Sequence, residues 1–351
     1  YLFGLLLFAY SLYLVRKLSS KYFESDICNL TSVIYAVSVS NFTRVYFLSA
    51  YQELFLVIFS LLTLLNFPKN HYKSLIFFVL ALLSKETAIV LPLLILIFNY
   101  KDLKKNSIYL TTVICISVIY LYFRLFHFGL VVGDSYLWNF SPAKAMNTLM
   151  WYILWCFGAP ELLVDYVGSG LKLVPKFFVD YPVWWRLIIF PLGGTILASV
   201  VLFVQKVREL GGDGFSRWDN RDKLIKSGMT EGTRYVLFFV VALLPVLFLP
   251  SHKFTLELGL PLVGFSMALA WLMPKKINIF AFAFLSFFIF YNLSMNLLTH
   301  SRHYSISRGV ISQKIYTYFS ARSTKYPPYS FFEFKNDSVD YGEQWGQSKQ
   351  I

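Results

Sequence analysis

Ten apolar runs separated by short polar clusters dominate this chain and leave few ways for it to fold. They lie at about 1–15, 28–43, 51–66, 74–84, 86–99, 107–124, 183–205, 235–250, 256–273 and 277–298. The apolar residues are continuous and do not alternate with polar ones, which excludes a half-buried sheet and predicts helices. At 57% hydrophobic and 15% charged residues, with 19% aromatics, the chain reads as an all-α, polytopic integral membrane protein of about ten crossings.

A net charge of +13 would suggest nucleic acid in a soluble protein, so the cations have to be placed first. Arg16/Lys17/Lys21, Lys69/Lys73, Lys101/Lys104/Lys105, the Lys/Arg cluster from Lys206 to Arg234, and Lys275/Lys276 fall in alternate loops. Those loops are predicted to be cytoplasmic, and a nucleic-acid partner is not expected. The other short loops carry one strong cation each, at Arg44, Lys85, Arg124 and Lys253, and the longer outer segment 125–182 carries only Lys144, Lys172 and Lys176. Counting Met146–Phe157 as an eleventh crossing would move the cation-rich 206–234 loop outside, so this stretch is expected to be an interfacial or re-entrant helix.

Within the run Leu80–Phe98 stand two adjacent charges, Lys85 and Glu86. A charge at a bilayer centre costs about 3 kcal/mol even on lenient insertion scales, so such residues face a cavity or a partner. Both flanks, FPKNHYK and YKDLKKN, are basic, so this stretch must go out and come back with the charges at its tip. Arms of about 11 to 14 residues give roughly 16–21 Å of helix against a ~30 Å hydrocarbon core. The tip is therefore expected in a recess below the outer surface.

Other polar residues fall at the same predicted depth: Arg44, Tyr51 and Glu53 in RVYFLSAYQEL, Arg124 at a helix end, and His252, Lys253 and Glu257 in LPSHKFTLELGLP. Cations in such a recess suit a lipid-linked phosphate, and carboxylates beside them suit an acceptor or a divalent metal ion. The bland reading is that each lysine reaches for headgroups and each acid merely pairs with it. Cys28, Cys115 and Cys156 are far apart and read as small apolar residues. His300 and His303 have ligand spacing but no third ligand, and Pro191 with Gly193-Gly194 reads as a helix kink or close-packing site. No phosphate-binding loop, dinucleotide fingerprint or nucleophile elbow occurs.

The stretch LSKETAIVLPLL resembles the hairpin of polyprenyl-phosphate-sugar-dependent glycosyltransferases of the GT-C class. The similarity is greatest to the branch of bacterial protein O-mannosyltransferase homologues, including those bearing tetratricopeptide repeats. SAYQELFLVIFSLLTLL, IYLYFRL and LPSHKFTLELGLPLVG are similar to further elements of that branch, although Tyr51 stands where its repeat-bearing members often carry arginine. The resemblance implies that Lys85 contacts the donor's lipid phosphate, with Arg124, His252 and Lys253 as further candidates. It implies that Glu53 lines the sugar site, and Glu86, Arg44 and Tyr51, at the same predicted depth, are the further candidates for the sugar or acceptor site. The catalytic acid of that family lies in its first outer loop, which is expected upstream of Tyr1, so no catalytic base is named within this chain. An inverting transfer to a protein, lipid or glycan acceptor on the extracytoplasmic face follows, with a bacterial inner membrane preferred to the endoplasmic reticulum and no cofactor required beyond an optional divalent ion. Residues 1–298 are the expected transferase-like membrane domain. The tail 299–351 is expected to lie outside as the start of a soluble module, with a helix over 307–320 and a strand-like YSFFEF. A secondary transporter or lipid flippase, or a membrane scaffold, would also account for intramembrane charges and broken helices.

Overall fold

A computed structural model of the chain describes residues 2–67, 69–99, 104–129, 136–168, 172–211, 231–274, 278–322, 325–326 and 329–331. These residues are helical, in places 3-10, and no strand occurs among them beyond one isolated bridge between Val167 and Leu173. The helices are α1 (Leu2–Ser19), α2 (Ser25–Val37), α3 (Phe42–Tyr46), α4 (Tyr51–Asn66), α5 (His71–Ser84), α6 (Leu91–Asn99) and α7 (Ser107–Phe126). They continue with α8 (Pro142–Cys156), α9 (Lys176–Asp180), α10 (Trp184–Gly211), α11 (Glu231–Leu247), α12 (Pro261–Leu272), α13 (Ile279–Arg302) and α14 (Tyr304–Ser320). Lys101, Lys275/Lys276, most of the 206–234 cluster and the end of YSFFEF lie outside the described residues.

The chain divides into a large unit, Tyr1–Met295, and a small one, Asn296–Ile351. The boundary falls inside α13, a few residues before the expected one at 298. In the small unit, α14 covers the expected helix, and the Arg322 guanidinium lies 4.0 Å from the Tyr318 ring.

In the large unit the described members of several basic clusters gather at one end. Lys21 of the loop after α1 donates to the Leu64 and Leu65 carbonyls at the end of α4, at 3.3 and 3.2 Å. Tyr22 meets Phe98 at the end of α6 and Tyr235 at the start of α11, and Lys206 lies over Trp271 at the end of α12. His71, Tyr109 and Phe67 pack ring to ring where α5 and α7 begin. The reverse ends of these helices meet at the opposite pole: Arg44 reaches the 255–256 carbonyls, and Lys85 meets Glu53 and Glu257. Segments α1, α4, α5, α6, α11 and α12 thus each have one end at either pole.

Helix α8 does not make that passage. Its hydrogen bonds to other elements lie at the far pole: Trp155 O accepts from Ser40 Oγ at 3.0 Å, and Asn147 Oδ1 accepts from Lys253 at 3.2 Å. Five helices are long and apolar enough to cross a membrane by length and composition, namely Leu2–Ser19, Leu48–Asn66, Ser107–Phe126, Trp184–Glu209 and Ile279–Arg302.

Packing follows from the periodicity. On α4, Leu54, Val57, Leu61, Leu64 and Leu65 recur at three- and four-residue spacing and are buried against neighbouring helices. A second core joins Ile34, Leu202, Leu269, Ala270 and Phe288, drawn from four helices. Close approach is built with glycine at several places, Gly4 against Tyr51 among them. A Cβ on Gly264 would stand 2.6 Å from the Phe239 backbone nitrogen, and one on Gly232 would stand 2.6 Å from the Trp271 ring. The Gly193-Gly194 pair is milder: Gly194 faces Phe287 and Gly193 faces open space.

Candidate functional site

The break at the hairpin tip is local backbone chemistry. Asn70 caps α5 by accepting from the Lys73 N–H, and the helix runs to Ser84. Lys85 is extended, with φ −160° and ψ 142°, and a 3-10 turn, Glu86–Val90, leads into α6. An extended residue sends neighbouring side chains in opposite directions. Lys85 and Glu86 therefore part company.

Lys85 turns inward between two acids. Its ammonium pairs with Glu53 in the first turn of α4, and with Glu257 Oε2 at 2.7 Å in the 3-10 turn Thr255–Leu258. The side chains are 9%, 1% and 6% exposed for Lys85, Glu53 and Glu257, so this triad is nearly dry. Glu257 also presents Oε1 to His252 Nε2 at 3.4 Å, while the Tyr136 and Phe254 rings lie 4.3 and 4.9 Å from the imidazole. His252 Nδ1 is buried and finds no hydrogen-bond partner among the described residues.

Arg44, a sequence candidate for substrate contact, is fully buried and spent on the backbone. One guanidinium nitrogen donates to the Thr255 and Leu256 carbonyls at 3.2 and 3.0 Å, and another to the Asn41 side chain. Glu161, which sequence reasoning passed over, holds the same turn from the other side by accepting from the Thr255 N–H at 2.8 Å and from its hydroxyl. Burial pushes the Glu161 carboxyl above the ordinary range, and the two Thr255 hydrogen bonds pull the other way. Only an acid's place next to proline in APEL could have hinted at it, which is a weak signal. Arg44 and Glu161 together fix the turn that delivers Glu257 to Lys85.

Around this turn two cations, Lys85 and Arg44, and three acids, Glu53, Glu257 and Glu161, are gathered with little exposure. Each ion costs several kcal/mol to desolvate, which only close pairing repays. Lys85, Glu53 and Glu257, expected to stand apart in a wet recess, instead pair with one another, while Arg44 turns to carbonyls and Asn41, because the turn of each hairpin reaches the same pole.

The other candidates fall outside this network. Tyr51 sits two residues before Glu53, about 200° around the helix, and its ring packs on Gly4 and Phe3 of α1. It is not at the triad. Glu86 is exposed on the outer side of the tip, within electrostatic reach of Tyr120, as is Arg124. Arg124 makes no ion pair or hydrogen bond among the described residues. Lys253 donates to Asn147, and burial lowers its pKa. No set of three metal-ligating side chains occurs among the described residues, and the space between Glu53 and Glu257, where a metal ion would be drawn, holds the Lys85 ammonium.

Comparison of the chain with protein-family models, curated proteins and solved structures gave no match.

Proposed function

We propose that this chain is a multi-pass membrane glycosyltransferase that moves a sugar from a polyprenyl-phosphate donor to an acceptor hydroxyl at the pole carrying Lys85. The observation that carries the reading is the Lys85–Glu53–Glu257 triad, in which three separate hairpins give up desolvation energy to place one ammonium between two carboxylates at a helix break. A lysine has three N–H donors, and two are committed here. The third is available for a phosphate oxygen, and the Arg124 guanidinium, with no ion pair or hydrogen bond among the described residues, is a further cation on the same pole.

In the transfer, the acceptor oxygen attacks the sugar's anomeric carbon as the bond from that carbon to the phosphate oxygen breaks. The lipid phosphate leaves with the electron pair, and the hydroxyl proton passes to a carboxylate base. Lys85 stabilises the charge growing on the departing phosphate, and a dry setting strengthens that contact. Glu53, in the first turn of α4, meets the sugar's hydroxyls when the ammonium shifts toward phosphate. The acceptor hydroxyl belongs to a protein, lipid or glycan.

The test is transfer of radiolabelled sugar from a panel of polyprenyl-phosphate donors by purified protein in bilayers. Label should enter an acceptor with the parent and drop by about 30- to 1000-fold with Lys85→Gln, the equivalent of a 2–4 kcal/mol contact. No transfer from any donor above protein-free vesicles would sink the reading.

One observation favours a second reading. A lysine shared by two buried acids is also an arrangement that takes up a proton when the lysine moves, as in a secondary transporter or flippase. Proton-coupled uptake into proteoliposomes, without sugar transfer, would select it.

A further inference from the structure

We infer that the loop Tyr136–Ser141 with the start of α8 is a lipid-inserted anchor, seated in the outer leaflet beside the charge cluster. Its side chains are too apolar for water: Leu137 is 65% exposed, Phe140 70%, Met146 65% and Trp138 47%. The inner face of α8, with Ala145, Thr148, Trp151, Tyr152 and Trp155, is already buried on the far pole, so the exposed set points away from the protein. A contiguous exposed apolar patch of this kind marks an interaction surface.

Three features commit it to lipid. The loop is pinned at the height of a helix end, since the Asn139 N–H donates to the Phe248 carbonyl at 2.8 Å and the Phe140 and Phe248 rings lie 5.2 Å apart, just past α11. Phe126 and Phe128, 77% and 72% exposed at the end of α7, belong to the same pole and continue down the exposed side of a helix long and apolar enough to span. The one charge in 136–148 is the exposed Lys144, which suits a headgroup phosphate, and Trp138 is the residue type enriched at that depth. Through Tyr136, whose ring covers His252, the anchor sets how deep the His252–Glu257 pair sits.

The inference rests on the membrane part of the proposed function, and its test needs no activity. Nitroxide labels are placed by Phe140→Cys, Met146→Cys and Lys144→Cys in the full chain carrying Cys115→Ala, since Cys28 and Cys156 are buried. Val118→Cys on the exposed side of α7 reports on the membrane reading itself, and Ser251→Cys serves as the wet control. In bilayers of phosphatidylcholine and phosphatidylglycerol, collision with oxygen is compared with collision with a water-soluble nickel chelate. The expected result is oxygen access and little nickel access at 140 and 146, at a depth of about 5–10 Å below the phosphates, with 144 at headgroup level. Nickel access at 140 and 146 while 118 stays in lipid overturns the anchor alone. Exclusion of both reagents at 140 and 146 means that protein covers the surface, and overturns it as well. Nickel access at 118 overturns the membrane reading and the anchor with it.

Discussion

Glu257 Oε2 lies 2.7 Å from Lys85 Nζ although 172 residues separate them in the chain. Their meeting depends on two short elements, an extended residue at the end of α5 and a 3-10 turn before α12. Arg44 and Glu161 hold that turn. This contact joins the tip of the α5–α6 hairpin to the turn before α12, in addition to the packing of α11 on α6, where the Phe98 and Phe238 rings lie 5.5 Å apart.

Removing the cation should therefore harm the fold as well as any chemistry. Lys85→Met leaves Glu53 and Glu257 facing each other in a dry site, and loss of one partner of a buried pair costs about 3–5 kcal/mol. Adding Glu53→Gln should recover part of that loss, a non-additivity read from a double-mutant cycle of unfolding in detergent. Purely additive losses would show that the triad is not one unit.

Arg44 should resist conservative exchange. A lysine cannot reproduce the planar fork that serves two carbonyls and Asn41 together, so Arg44→Lys is expected to lose about 1–3 kcal/mol for the acceptors left buried and unmet. Thr255→Val, which removes the hydroxyl given to Glu161, should lose an amount of similar order. Thermal unfolding of either variant at the parent midpoint would contradict the clamp.

Glycines on two helices should respond in opposite ways. Gly264→Ala drives a methyl into the Phe239 backbone and should destabilise by about 1–3 kcal/mol. Gly193→Ala meets open space inside α10 and should be neutral or stabilising by about 0.5–1 kcal/mol, because alanine loses less entropy in a helix. Equal effects at the two positions would contradict the packing of α11 on α12.

Orientation is open to an impermeant thiol reagent. In intact cells, a cysteine replacing Ser251 should be labelled from outside, and one replacing Lys73 should not. The reverse pattern would invert the assignment of the two poles.

Much of the architecture was determined by the sequence alone. Continuous apolar runs point to helices, as found, five of them long and apolar enough to cross a membrane, and the basic flanks of Leu80–Phe98 foretell the out-and-back hairpin with Lys85 at its tip. These are properties of nearest neighbours and of charge counting, so they need no knowledge of distant contacts. The partners at the far pole were decided only by tertiary structure. Nothing local says that Lys85 turns to Glu53 and Glu257 while Glu86 turns away, that Arg44 serves carbonyls, that Tyr51 faces Gly4, or that Glu161 joins the cluster. Each outcome depends on a backbone angle at one residue and on which loops converge, and a buried charge settles with whatever opposite charge or carbonyl the packing brings within about 3 Å.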